Sequence, residues 1–277
     1  MKKQKSQSAI RPFLKWAGGK FRLQERLRNQ LPEGTKLIEP FTGSGAVFLN
    51  TDYERYLLGD INQDLITLYQ ILKTDAKRFI PYCRDWFKVS ENNADAYYQW
   101  REKFNLATDP WLRSALFIYI NRHGYNGLCR YNSSGKINVP FGRYKKPYFP
   151  EEEMFAFANK AKLAQFVCAD YAKIMNRARR GDVVYCDPPY VPLTDSANFT
   201  SYSQQSFGLD DQLQLAIKAK HLADRGVGVL ISNHLNGFTR ELYQHASIET
   251  FEVRRFISCK GNERNNVQEL LALYAPS

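Results

Sequence analysis

The four residues best placed to do chemistry are Asp187-Pro188-Pro189-Tyr190. They follow the apolar run Asp182–Cys186, which reads as a buried strand, and open α/β sheets keep their active sites at the carboxyl ends of strands. The chemistry that needs these residue types is methylation of an exocyclic amine. The lone pair of adenine N6 is delocalised into the ring, so N6 is a poor nucleophile. The Asp187 carboxylate can accept one N6–H. A backbone carbonyl can accept the other, held outward because proline has a fixed φ and no N–H. Two acceptors pull the nitrogen toward tetrahedral geometry and aim its lone pair at a methyl carbon. Tyr190 supplies a flat face for the base. Positioning and local electrostatics carry such a transfer, with no metal and no covalent intermediate.

A second constellation is Glu39-Pro40-Phe41-Thr42-Gly43-Ser44-Gly45. Here a short strand ends, glycines allow a tight turn, and a helix N-terminus opens. A full dinucleotide fingerprint requires a third glycine at position 48, where Phe48 stands. A pyrophosphate cradle is therefore disfavoured. Asp60, at the end of the next strand, can accept hydrogen bonds from two ribose hydroxyls. Adenosine without a pyrophosphate fits, and S-adenosylmethionine is the obvious candidate cofactor.

Other chemistries are excluded by what is missing. The four histidines (His123, His221, His234, His245) have no metal-ligand spacing. The five cysteines are odd in number and form no Cys-x-x-Cys pair, so a thiolate zinc site and a disulfide framework are both disfavoured and a reducing compartment fits. No metal is expected. No Pro-Cys pair provides the thiol that cytosine-C5 methylation needs. No run approaches the ~20 apolar residues of a membrane span, and no apolar core follows the basic start Met-Lys-Lys-Gln-Lys-Ser. The chain reads as soluble and intracellular.

The elements that must position these groups alternate in type. Strands are expected at 36–39, 56–60, 165–169, 182–186 and 227–232, with an antiparallel pair at 248–257 and 267–274. Helices are expected near 20–30, after Gly45, and at 171–179 and 209–223. Between the second and third strands come amphipathic runs at 64–72, 94–104 and 110–122, then an irregular segment at 123–150. The reading is an α/β sheet interrupted between its second and third strands by a mainly helical, basic insertion; its resemblance to known methylases implies the Rossmann-like sheet of S-adenosylmethionine-dependent methyltransferases, with the insertion as a target-recognition domain. The expected division is 1–62 with 151–277 as a discontinuous catalytic domain, and 63–150 as the insertion.

Net charge separates the same regions. The chain carries 39 Lys and Arg against 28 Asp and Glu, a balance of +11. Residues 1–30 hold +8 and residues 110–150 hold +7 with no acid, so the remainder is −4. The 110–150 stretch interleaves seven basic side chains with nine aromatics, the mixture that contacts phosphates and stacks on unpaired bases.

Together these features resemble the Dam-type DNA adenine-N6 methyltransferases, the methylases of GATC. The resemblance runs from about Phe13 to Tyr274. It includes Lys15-Trp16-Ala17-Gly18-Gly19-Lys20, Asn121 through Arg130 and Val139 through Pro147. It implies catalytic roles for Asp187, Pro188, Pro189 and Tyr190. It implies a cofactor site made by Trp16, Lys20, Phe41, Gly43, Asp60, Asp170, Tyr171 and Asp187. It implies that Tyr125 and Asn126 sit where the duplex is opened for base flipping. Leu128 and Pro140 match positions that touch a thymine methyl, and Arg130 matches a bidentate reader of guanine. Lys15 matches a contact to the outer guanine, and Arg143, Tyr144 and Lys145 match neighbouring base and phosphate contacts.

The implied partner is double-stranded DNA containing GATC, met by a monomer with no obligate protein partner and no membrane. The implied setting is a bacterial or phage-encoded cytoplasmic protein. Met1–Ile10 has no assignable role, and Ser258–Asn265 reads as a solvated polar hairpin loop. Cytosine-N4 methylation (usually Ser in place of Asp187) and glutamine or RNA methylation (usually Asn there) compete within the enzyme class. A DNA-binding protein without turnover competes outside it, although a pure binder has no need of the Asp187 carboxylate.

Overall fold

The structure, a computed structural model, describes residues 9–190, 207–254 and 266–277. In chain order its elements are α1 (Gln24–Gln30), β1 (Lys36–Glu39), α2 (Ala46–Leu49), β2 (Arg55–Asp60), α3 (Gln63–Arg84), α4 (Ala94–Leu106), α5 (Pro110–His123), α6 (Glu151–Ala161), β3 (Ala164–Cys168), α7 (Tyr171–Met175), β4 (Val183–Cys186), α8 (Leu209–Ala223), β5 (Gly228–His234), α9 (Gly237–Leu242), β6 (Ser247–Arg254) and β7 (Asn266–Tyr274). The leader 1–8 and the expected loop 258–265 lie outside the described residues.

The chain divides into two compact units. One comprises 1–29, 42–52 and 62–168, the other 30–41, 53–61 and 169–277.

The first unit is built on α3. Asn62 caps it by accepting the Leu65 N–H at 3.1 Å. Leu65, Leu68, Tyr69 and Leu72 turn one buried face to the core, each contributing about 1.5–3 kcal/mol by leaving water. Against it pack α5 and α6. Every residue of α5 from Ser114 to Asn121 is buried, as suits a helix that is apolar around most of its circumference. Tyr69 and Phe157 meet with ring centroids 4.5 Å apart. Arg113 of α5 forks onto Asp64 of α3, with Nε to Oδ1 at 2.5 Å and Nη2 to Oδ2 at 3.0 Å.

The second unit holds six of the seven strands among the described residues, side by side in the order β2-β1-β4-β5-β7-β6. β1 pairs parallel with β2 and with β4, and β4 pairs parallel with β5. β7 is antiparallel to both β5 and β6. The strand order reverses between β1 and β4, and ligands of open parallel sheets bind at the carboxyl ends of the strands at such a point. The Glu39-Pro40-Phe41 and Asp187–Tyr190 segments begin there. The α/β, Rossmann-like class is borne out.

Most expected elements fall within a residue or two of their places. β5 runs two residues further, to His234, because β7 pairs with it as far as Asn233↔Leu270 and His234↔Glu269. The helix expected at 171–179 stops at Met175, where tighter bonds take over: Arg177 N–H to the Ile174 carbonyl and Ala178 N–H to that of Met175, each at 3.0 Å. Two helices, α6 and α9, were not expected from the sequence. For α6 the signal was present, since Pro150 is followed by three glutamates in the first turn.

Candidate active site and nucleic-acid interface

Asp187 follows the last residue of β4, and its Oδ1 accepts the Ser232 hydroxyl at 3.0 Å. Ser232, fully buried on β5, lies 3.0 Å from the Tyr185 hydroxyl. With the serine proton given to the carboxylate, Tyr185 is the donor to Ser232 Oγ. Burial foremost, then the Asp187 charge, pushes the Tyr185 phenol well above its usual range, so it remains a donor at neutral pH. Two hydroxyls on neighbouring strands thus orient the carboxylate.

The rest of the tetrapeptide is held as well. The Pro189 carbonyl accepts Nε2 of Gln212 from α8 at 2.7 Å. The Tyr190 hydroxyl donates to Glu269 Oε2 of β7 at 3.3 Å, and its ring stands edge-on to His234 with centroids 4.5 Å apart. The Pro188 carbonyl lies between these two anchored residues, Asp187 and Pro189.

Phe41, just beyond β1, stacks on Tyr171 of α7 with centroids 5.4 Å apart and planes 21° from parallel. Phe207 meets both rings edge-on, at 5.5 Å and 5.4 Å. Asp170 caps α7, its Oδ1 accepting the Ala172 N–H at 2.8 Å. Asp60 ends β2, half-buried, and its carbonyl accepts the Ala169 N–H at 3.2 Å. Phe41, Asp60, Asp170 and Tyr171 therefore belong to one region of the second unit. Sequence reasoning missed Phe207. Its signal was weak, because an aromatic before a helix start is more often part of a core.

In the first unit, Gly43 has φ +48°, and a Cβ there would lie 2.7 Å from Trp16 Nε1. The Trp16 indole therefore rests directly on the Gly43 backbone, whose carbonyl accepts the Tyr69 hydroxyl at 2.5 Å. Lys20 is buried, and its ammonium donates to the Gly18 carbonyl at 2.6 Å.

The segment containing Lys15 is tied to the 123–150 stretch by one buried amide. Asn121 Oδ1 accepts the Lys15 N–H at 2.9 Å, while its Nδ2 donates to the carbonyls of Lys15 (2.8 Å) and Gly127 (3.0 Å). Gly127 has φ +65°, and a Cβ there would stand 2.3 Å from Lys15 Cβ, so only glycine lets the two segments meet. Asn126 is held in the left-handed region at φ 53°, with its N–H given to the Tyr144 hydroxyl at 3.0 Å. Lys15, Asn126 and Tyr144 are thereby brought together. Tyr125, Arg130, Pro140, Arg143 and Lys145 are exposed, and Leu128 is half-buried.

The irregular 123–150 stretch is rigidified from the side by α4. Tyr97, Arg101 and Asn105, four residues apart on one helical face, all bond to its backbone. Tyr97 Oη and Arg101 Nη1 both donate to the Val139 carbonyl, at 2.9 Å and 3.0 Å. Asn105 exchanges two bonds with Ile137, at 2.9 Å and 3.2 Å. Asn92 Nδ2 donates to the Tyr144 carbonyl at 2.9 Å. The sequence showed residues 94–104 only as an amphipathic run. One part of its charge reading is narrowed: Arg113 is committed to Asp64, so it is not among the cations available to phosphate.

Among the described residues no cluster of three His, Cys, Asp or Glu side chains is gathered as for a metal ion, and no helix is long and apolar enough to cross a membrane.

The fold is an α/β sheet, parallel from β2 to β5, with an acid, two prolines and a tyrosine at its switch point, and comparison with known proteins defines the family. Residues 16–257 match the model of the D12 class N6 adenine-specific DNA methyltransferases. The DNA adenine methylase of Escherichia coli K12 is 54% identical over 266 residues, 96% of each chain. That of Vibrio cholerae El Tor N16961 is 52% identical over 267 residues, again 96% of each. That of Serratia marcescens is 54% identical over 265 residues, 95% of this chain and 98% of the relative. The chain belongs to the D12 class of N6 adenine-specific DNA methyltransferases and is of the Dam type; its reaction is methylation of adenine N6 in DNA.

Proposed function

We propose that the protein methylates adenine N6 within double-stranded GATC sites, using S-adenosylmethionine and a flipped-out target base. The observation that carries the reading is the anchored Asp187 at the switch point of the sheet, with the Pro188 carbonyl beside it. N6 inside a duplex is stacked and paired, so it reaches two acceptors at a strand end only after extrusion.

The second unit suits an adenosine-bearing cofactor. Phe41 and Tyr171 offer an aromatic surface beyond β1, and the Asp60 carboxylate at the end of β2 suits ribose hydroxyls. Trp16, Lys20, Gly43 and Asp170 are assigned to the same cofactor by their match to the family. When bound, S-adenosylmethionine supplies the electrophilic methyl carbon. The Asp187 carboxylate and the Pro188 carbonyl accept the two N6–H bonds, Ser232 keeps the carboxylate oriented, and Tyr190 stacks on the base. The 63–150 segment serves as the target-recognition domain. In it Tyr125 and Asn126 fill the opened duplex, Leu128 and Pro140 touch thymine methyls, and Arg130 reads a guanine. Lys15, Arg143, Tyr144 and Lys145 complete the base and phosphate contacts. The enzyme acts as a monomer in the cytoplasm.

Methyl transfer from labelled cofactor to a duplex containing one GATC, against the same duplex with the site scrambled, tests the assignment. Labelling of the first only is expected. Equal labelling of both would refute the recognition reading.

A further inference from the structure

We infer that Gln212, Asn233 and Tyr243 form a buried clamp on the Pro189 carbonyl, and that Gln212 is thereby a positioning residue for methyl transfer. The inference rests on the reading of Asp187–Tyr190 as the catalytic segment.

The three side chains close on one another. Gln212 is 2% exposed, and Asn233 and Tyr243 are fully buried. Pro189 O can only accept, so the group of Gln212 facing it at 2.7 Å is the amide nitrogen. That leaves Gln212 Oε1 turned inward, where it accepts Asn233 Nδ2 at 3.0 Å and the Tyr243 hydroxyl at 3.4 Å. Asn233 Nδ2 also donates to Tyr243 Oη at 3.1 Å, and its Oδ1 accepts the His234 N–H at 2.9 Å. The arrangement of both amides is thus dictated by groups whose donor or acceptor character is fixed.

Packing alone does not call for this chemistry. A leucine would fill the Gln212 position near the start of α8 without the cost of burying an amide. What the amide adds is a donor aimed at a single carbonyl of the tetrapeptide. Ser232 and Asn233 are consecutive on β5, so their side chains leave opposite faces of the strand. One holds Asp187, and the other, through Gln212, holds Pro189. The peptide plane between them carries the Pro188 carbonyl, and its direction is set when both flanking points are fixed. Proline at 188 and 189 removes the φ freedom that would otherwise let that plane swing.

Gln212→Leu removes the donor, and Gln212→Glu makes it switchable. The carboxyl introduced by the second substitution can, when protonated, donate to Pro189 O and accept from Asn233 as glutamine does. Once ionised it has no donor and faces a carbonyl oxygen. The test is single-turnover methylation of a GATC duplex at temperatures well below each variant's unfolding transition. Gln212→Leu should lower the rate by about thirtyfold, with cofactor Kd and duplex Kd within about threefold of wild type. Gln212→Glu should approach the wild-type rate at low pH and lose it as the carboxyl ionises, a pH profile the wild type does not show. A group that only stabilised the fold would leave both rates unchanged under these conditions.

A Gln212→Leu rate within about twofold of wild type, or a Gln212→Glu profile that superimposes on wild type, overturns the inference. If neither variant folds, Tyr243→Phe decides: a rate several-fold lower at unchanged Kd supports the clamp, and a wild-type rate refutes it. Asp187→Ala, assayed alongside, separates the two levels. If it retains turnover, the tetrapeptide reading fails; if it is inactive while the Gln212 variants behave as wild type, only the clamp fails.

Discussion

The Lys15 ammonium lies 3.9 Å from the centroid of the Tyr144 ring. Burial, and secondarily the Arg122 charge, lowers the lysine's pKa, and the electron-rich ring face offsets part of that cost. The same tyrosine takes the Asn126 N–H on its hydroxyl. One side chain therefore orders a residue from each of the two basic stretches. A cation–π contact of this kind contributes roughly 0.5–2 kcal/mol. Tyr144→Ala should weaken binding to a GATC duplex by about tenfold, and Tyr144→Phe by less, because it keeps the ring. Fluorescence anisotropy titrations of both variants measure this, and wild-type affinity in the alanine variant would remove Tyr144 from the interface.

Asp187→Ala should keep cofactor binding within about tenfold while losing nearly all turnover, since the lost acceptor acts on the reacting amine. Ser232→Ala leaves the carboxylate in place without its orienting hydroxyl, so a milder fall in kcat, of about tenfold, is expected. Calorimetric titration of cofactor and single-turnover rates distinguish the two effects. A Ser232→Ala enzyme as slow as Asp187→Ala would mean that the serine does more than orient.

Arg130 donates from Nε to Asn138 Oδ1 at 2.8 Å and from Nη2 to the Asn138 carbonyl at 3.3 Å. The guanidinium is held by Asn138. Arg130→Ala should relax discrimination at one guanine by about 1–3 kcal/mol. Asn138→Ala should relax the same base pair by a smaller amount, having removed the brace and left the reader. Competition among duplexes with single substitutions in GATC is the measurement, and an unchanged preference in both variants would contradict the assignment.

His123 is buried against Tyr119, ring centroids 4.0 Å apart, with Nδ1 on the Tyr119 carbonyl at 3.0 Å. Burial is the main cause that lowers its pKa from 6.5 to about 4. The unfolded chain then binds more protons than the folded one between those values, so stability falls as pH drops through that window. It is fully recovered above 6.5. The effect at the acid end is about 3 kcal/mol. Urea midpoints from pH 7 downward should show this slope, and His123→Phe should flatten it.

Much of the candidate site could be read from the chain because its residues are contiguous. Asp187 to Tyr190 follow an apolar strand directly, and two prolines mark where pairing stops. Gln212 and Asn233 could not be found that way. They are separated by 21 positions and sit in a helix and a strand, where either amide would ordinarily face water. Phe207 was hidden because an aromatic just before a helix start is more often part of a core. Charge counting erred in a related manner: Arg113 lies in a stretch without acids, yet its partner Asp64 is 49 residues earlier in the chain. Local pattern locates what chemistry needs to be adjacent, whereas braces and counter-charges come from wherever the fold delivers them.

The interleaving of the two units sets a schedule for synthesis. β1 and β2 leave the ribosome early, but β1's other neighbour, β4, is not translated until residues 183–186. The first unit, by contrast, has its whole sequence once residue 168 is made. At ordinary elongation speeds of about 5–20 residues per second, the first third of the second unit's strands waits for several seconds with unpaired edges. During that interval β2 and β1 are a template for wrong pairing.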